Sequence, residues 1–119
     1  GEDGLDEITI TGETQVCELK DGDITGYSIC PDSFGLSRAG LNSLSGGTAE
    51  ENAALLRNIL GGAPGPQRDV VLMNAAAAVV AGDRVETLQQ GIDLARESID
   101  SGRALEKLEQ LIECSQGFT

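Results

Sequence analysis

Two carboxylates stand side by side at Asp6 and Glu7, within Gly4-Leu5-Asp6-Glu7 and just ahead of Ile8-Thr9-Ile10-Thr11. Adjacent acids presented from a loop at the mouth of a strand are hard oxygen ligands. They suit Mg²⁺, which takes one or two protein carboxylates and fills its octahedron with water and substrate phosphate oxygens. The plainer alternative is a solvated acidic pair, and spacing alone does not separate the two. Two other patterns imitate ligand sites. Asp21, Asp23, Thr25 and Gly26 fall on the first, third, fifth and sixth positions of a calcium-binding helix–loop–helix. The twelfth position is Asp32 instead of Glu, Pro31 interrupts, and both flanks read as strand, so a calcium loop is disfavoured. Ser45-Gly46-Gly47-Thr48 resembles a phosphate-cradling helix start. Glu50 and Glu51, however, already put negative charge into that first turn, which favours an ordinary capped helix. Asn74 is the lone polar residue in the apolar run Val70 to Ala81, and we expect it to satisfy a neighbouring backbone group.

Charge and cysteine content narrow the function classes. With 20 acidic against 8 basic residues the net charge is −12, which repels a phosphate backbone and makes nucleic acid a poor partner. No polybasic run offers an anionic membrane a docking patch. The longest apolar run would span about 18 Å as a helix, short of a bilayer core. The sequence has no histidine and three cysteines, Cys17, Cys30 and Cys114, with no close pair, so a zinc site is strongly disfavoured. Cys17 and Cys30 sit on opposite arms of an expected hairpin. Its register faces Cys17 with Gly26 and leaves Cys30 about 13 Å away along the strand, beyond disulfide reach. Reduced thiols in a cytoplasmic protein are the consistent picture.

The elements that must hold these residues divide into a β-rich first third and a helical remainder. Ile8 to Thr11 alternates apolar and polar with β-branched residues throughout, which predicts a strand. Thr14 to Leu19 and Ile24 to Cys30 predict a hairpin around Asp21-Gly22, a dipeptide that tolerates positive φ at a two-residue turn. Pro31 ends the second arm, and Asp32 to Gly47 reads as a loop over the core. A first helix opens at Thr48 with Glu51 completing a capping box and stops at Gly61-Gly62. A second runs from Pro66 to Gly82, apolar around its circumference and therefore central. A third is capped by Thr87 with Gln90, buries Leu88, Ile92, Ala95 and Ile99, and closes at Gly102; a fourth carries Leu105, Leu108 and Ile112 on one side. The fold class is α/β, or α+β as an isolated fragment: short strands and a hairpin followed by about four helices. The core must be aliphatic, because the chain has no Trp and only three aromatic residues.

Beyond spacing, the wording of the chain carries a resemblance. Gly4-Leu5-Asp6-Glu7-Ile8-Thr9, Glu18-Leu19-Lys20-Asp21-Gly22, Phe34-Gly35-Leu36, Gly46-Gly47 with Glu51-Asn52-Ala53, Asp69 to Ala77 (DVVLMNAAA) and Ala95 to Ala104 (ARESIDSGRA) occur in order. Together they resemble the anthranilate phosphoribosyltransferases. The resemblance implies that residues 1–119 are the C-terminal portion of the α/β domain of the nucleoside phosphorylase and phosphoribosyltransferase type. It implies transfer of phosphoribosyl from phosphoribosyl diphosphate to the amine of anthranilate, with release of diphosphate, in tryptophan biosynthesis. It assigns Mg²⁺ binding to Asp6 and Glu7, with no catalytic residue inside the segment. It also implies a cytoplasmic homodimer formed through upstream helices.

The same resemblance leads us to expect more chain upstream. The sequence begins at Gly1 without a methionine. The glycine-rich loop and the anthranilate contacts that the family carries upstream have no counterpart within it. The segment alone is therefore expected to be inactive. A pyrimidine nucleoside phosphorylase segment, which would use phosphate in place of the diphosphate clamp, is the neighbouring alternative. A non-enzymatic acidic binding module is the alternative from another class.

Overall fold

The computed structural model describes residues 1–118. Two strands, β1 (Thr14–Lys20) and β2 (Asp23–Ile29), form an antiparallel hairpin. Four helices follow: α1 (Ala49–Leu60), α2 (Pro66–Ala81), α3 (Leu88–Asp100) and α4 (Arg103–Gln116). The hairpin turns where expected: Asp21 and Gly22 take φ of 52° and 87°, the left-handed pair a tight two-residue turn requires. The resulting register sets Cys17 opposite Gly26, and Cys17, Cys30 and Cys114 are all free. Between β2 and α1 the expected loop contains two short 3-10 turns, Pro31–Phe34 and Leu41–Leu44. Pro31 occupies the first position of the earlier turn, where its missing N–H leaves no partner lacking.

Local sequence sets the helix starts. Thr48 accepts from the Glu51 amide while the Glu51 carboxylate accepts from the Thr48 amide, and Thr87 with Gln90 repeats the device on α3. Each box satisfies two N-terminal amides that the helix itself cannot pair. Gly102, at φ 82°, turns the chain sharply between α3 and α4.

Helices α2 and α3 form the tightest pair. Leu72, Met73 and Ala76 of α2 meet Ile92 and Ile99 of α3, and Ile10, Ile29 and Leu36 complete an aliphatic core. Gly91 permits this closeness, since a Cβ there would lie 2.8 Å from the Ala76 Cα and carbonyl oxygen. Arg68, only 13% exposed, ties the α1–α2 connection to the end of α3 by donating to the Gly62 carbonyl at 3.0 Å and pairing with Asp100 at 2.8 Å. Among the described residues α2 is central but not enclosed on every side. Ala78 is exposed, and Val71, Ala75 and Val79 line an apolar groove of about 520 Å³ with Leu60, Leu94 and Ala104. No helix among the described residues is long and apolar enough to cross a membrane.

The expected strand at Ile8–Thr11 does not form. Those residues are extended in sequence character, but side chains take the place of a neighbouring strand. The Ile8 amide donates to Asn74 Oδ1 at 3.0 Å, the Thr9 amide to Thr14 Oγ1 at 3.1 Å and the Thr11 amide to Thr9 Oγ1 at 3.2 Å. Among the described residues, only the Ile10 carbonyl of this stretch meets backbone, accepting from the Ala39 amide at 3.2 Å. β-Branched alternation favours a pleated, half-buried surface but does not supply a partner strand.

Candidate functional site

The candidate metal residues lie on an irregular stretch ahead of the hairpin. A carboxylate the sequence reading passed over, Asp3, organises its first half. Asp3 accepts from Thr9 Oγ1 at 2.6 Å, from Thr11 Oγ1 at 2.7 Å and from the Leu5 amide at 3.1 Å. Hydrogen bonds from Thr9 first, then Thr11, favour the ionised form and hold the Asp3 carboxyl down at about 2. The available signal was the pair of threonines two apart, Thr9 and Thr11, which alternation had assigned to a strand face.

Asn74 organises the second half. Its Oδ1 accepts from the Ile8 amide at 3.0 Å, and its Nδ2 donates to the Ile8 carbonyl at 2.9 Å and to the Val70 carbonyl at 3.0 Å. The expected role of Asn74, satisfying a neighbouring backbone group, is thus observed, with a partner 66 residues away. Buried Ile10 and half-buried Ile8 root the stretch in the core.

Asp6 and Glu7 sit between these two attachments. Both are exposed. Unlike Asp3, neither carboxylate engages any hydrogen bond or ion pair among the described residues. Their oxygens are available, and consecutive residues of a loop can turn toward one ion. No group of three or more His, Cys, Asp or Glu side chains among the described residues could hold a metal. The donor set therefore fits Mg²⁺ completed by water and phosphate oxygens, and does not fit zinc or a fully protein-caged calcium.

The other ligand-like patterns resolve into structure. Asp21 and Asp23 belong to the hairpin turn and the start of β2, so no helix–loop–helix surrounds them. At Gly46-Gly47 the Gly47 amide donates to Asn52 Oδ1 at 2.8 Å and the Thr48 amide to Glu51 Oε2 at 2.7 Å. A Cβ on Gly46 would come within 2.6 Å of Asn52 Oδ1, and one on Gly47 within 2.1 Å of Glu51 Oε2. These glycines admit the cap's own side chains, which take the amides of Gly47, Thr48 and Glu51.

The chain and its fold are similar to known proteins. Residues 1–105 match the family described as "Glycosyl transferase family, a/b domain". The chain is 52% identical over 113 residues to the anthranilate phosphoribosyltransferase of Symbiobacterium thermophilum, covering 95% of this chain and 33% of that protein. It is similar to the crystal structure of anthranilate phosphoribosyltransferase from Thermus thermophilus, with TM-score 0.81 and 41% identity over 91% of this chain and 32% of that one. It is also similar to the Saccharomyces cerevisiae enzyme solved in complex with PRPP and Mg, with TM-score 0.82 and 32% identity over 95% of this chain and 33% of that one. The chain thus spans about one third of the length of the relatives it matches.

Proposed function

The chain belongs to the glycosyl transferase family, in its α/β domain, and from that premise we propose that it is the C-terminal portion of an enzyme transferring phosphoribosyl from phosphoribosyl diphosphate to anthranilate. In that reaction the bond from the sugar C1 to the diphosphate oxygen breaks, its electron pair leaving with diphosphate. A C1–N bond forms to the anthranilate amine, which loses a proton. This is the tryptophan-pathway reaction of the enzymes whose names the relatives carry, which favours it over nucleoside phosphorolysis.

The observation that carries the proposal is the pair of unengaged carboxylates, Asp6 and Glu7, on a stretch anchored on both sides. They would hold Mg²⁺, as the PRPP and Mg complex of the yeast relative supports. When bound, the ion supplies electrostatic stabilisation of the charge developing on the departing diphosphate. The task of this chain's residues is to hold two oxygens at a fixed place, so that the diphosphate is not left to organise its own cation. We place the contacts to anthranilate and to the sugar outside residues 1–119, and assign no catalytic residue within them. The free cysteines support a reducing, cytoplasmic setting. A homodimer built through helices outside this segment belongs to the same proposal.

The test is Asp6→Asn and Glu7→Gln in the intact enzyme. Each should raise the Mg²⁺ concentration for half-maximal rate at least about tenfold, the loss that even the outer partners of metal ligands produce when removed. Asp6 and Glu7 would hold the ion that in turn would neutralise the diphosphate, so apparent affinity for phosphoribosyl diphosphate should fall with it. Unchanged metal dependence in both variants would refute the assignment.

A further inference from the structure

We propose that Asn74 is a positioning residue for the Asp6–Glu7 pair: its side-chain amide acts as a one-residue strand partner that fixes the backbone from which the two carboxylates project. The inference rests on the metal reading of Asp6 and Glu7 and adds a residue remote from them in sequence. Asn74 meets both polar groups of the Ile8 backbone, accepting at 3.0 Å and donating at 2.9 Å. This two-point pairing copies what a neighbouring strand would offer. The second amide hydrogen goes to the Val70 carbonyl at 3.0 Å, one helical turn back along α2. That third bond fixes the amide plane, and its orientation is unambiguous. Reversing the amide would set its NH₂ against the Ile8 N–H and its oxygen against two carbonyls.

The position of this clamp matters more than its strength. Ile8 is the residue immediately after Glu7, and Leu5, immediately before Asp6, has its amide held by Asp3. The two proposed ligands are thus the whole of the stretch between two fixed amides. The Asp3 clamp is internal to the loop, since Thr9, Thr11 and Leu5 all belong to it. Among the described residues, Asn74 alone ties the backbone beside Glu7 to α2, the helix at the centre of the core, by hydrogen bonds. A metal–diphosphate site needs oxygens preorganised to a fraction of an ångström, which a loop with only internal bonds does not give. Other side chains at position 74 would not serve. Leu keeps the volume and the helix but removes all three bonds, and Asp keeps the acceptor but replaces the nitrogen that makes both donations with one oxygen that repels the two carbonyls.

The experiment uses the intact enzyme with Asn74→Leu, Asp6→Asn and, as a stability control on the same helix, Val79→Ala, whose side chain lines a groove and has no part in the loop. Three quantities are read: the Mg²⁺ concentration for half-maximal rate, kcat at saturating Mg²⁺, and hydrogen exchange at the Ile8 amide without metal or substrate. Asn74→Leu should raise the Mg²⁺ requirement about tenfold, leave kcat at saturation within about twofold, and speed exchange at Ile8. Val79→Ala should change none of the three, whatever it does to the melting temperature. If Asp6→Asn shifts the Mg²⁺ requirement and Asn74→Leu does not, the positioning role is overturned and the metal reading stands. If Asp6→Asn also leaves it unmoved, the metal reading itself fails, and this proposal with it. Should Asn74→Leu not yield folded protein, exchange in the wild type decides. Protection at Ile8 comparable to the α2 core amides supports the clamp, and exchange as fast as at Asp6 and Glu7 overturns it.

Discussion

Replacing Gly91 with Ala sets two effects of opposite sign against each other. Helix propensity alone predicts stabilisation, because Gly in a helix interior is about 1 kcal/mol worse than Ala. The packing predicts the reverse. The new methyl would sit 2.8 Å from both the Cα and the carbonyl oxygen of Ala76 and 2.9 Å from its Cβ. Comfortable carbon–carbon contact lies near 3.5–4.0 Å, so the surfaces overlap by roughly 1 Å. Two of the three atoms are backbone, which cannot rotate away, so α2 and α3 must separate. That loosens Leu72, Met73 and Ala76 against Ile92 and Ile99, the centre of the core. Overpacking of this kind costs about 1–3 kcal/mol, and a clash against backbone belongs at the upper end. Subtracting about 1 kcal/mol of propensity leaves a net loss of roughly 1–2 kcal/mol. Urea denaturation of Gly91→Ala and wild type, compared at unchanged m-value, reads this directly. A variant as stable as wild type or more so would show that α2 and α3 do not approach as described.

Leu72→Ala should cost about 2–4 kcal/mol, since Leu72 is 1% exposed and a cavity would remain, whereas half-buried Val79→Ala should cost less because it borders an open groove. Glu109→Ala should stay below about 1 kcal/mol, since it removes only an exposed ion pair with Arg57; denaturant melts ranking these three otherwise would overturn the burial assignments. Asp3, with its carboxyl held at about 2 against an ordinary 3.8, contributes stability that is complete above about pH 4 and is lost as pH falls toward 2. Asp3→Asn should flatten that part of the stability–pH profile, and identical acid limbs would show that the Thr9 and Thr11 hydroxyls do not hold the carboxylate.

What could be read from sequence was what depends on near neighbours. Thr48 with Glu51 and Thr87 with Gln90 announce helix starts because both partners of each cap lie three residues apart. Asp21-Gly22 fixes the hairpin and, through it, the facing of Cys17 and Gly26. Asp6 and Glu7 were legible as residue types, but the means of holding them was not. Asn74 stood out as polar in an apolar helix, yet nothing local links it to Ile8, 66 residues earlier. For the same reason Ile8 to Thr11 read as strand: its composition suits a strand, and whether backbone or side chains supply the partners is decided at long range. Gly91 is the clearest gap, since its reason for being glycine lies wholly in Ala76 on another helix.

The central claim is that Asp6 and Glu7 carry the cation bound with the diphosphate, and the most direct measurement is diffraction. Crystals of the intact enzyme grown with phosphoribosyl diphosphate and Mn²⁺, which occupies oxygen sites of this type, give an anomalous signal that locates the ion without reference to any refined side chain. The expected peak lies about 2.0–2.2 Å from a carboxylate oxygen of Asp6 or Glu7, shared with diphosphate oxygens and water. A fully occupied peak on the diphosphate, with both carboxylates turned to solvent, would contradict it.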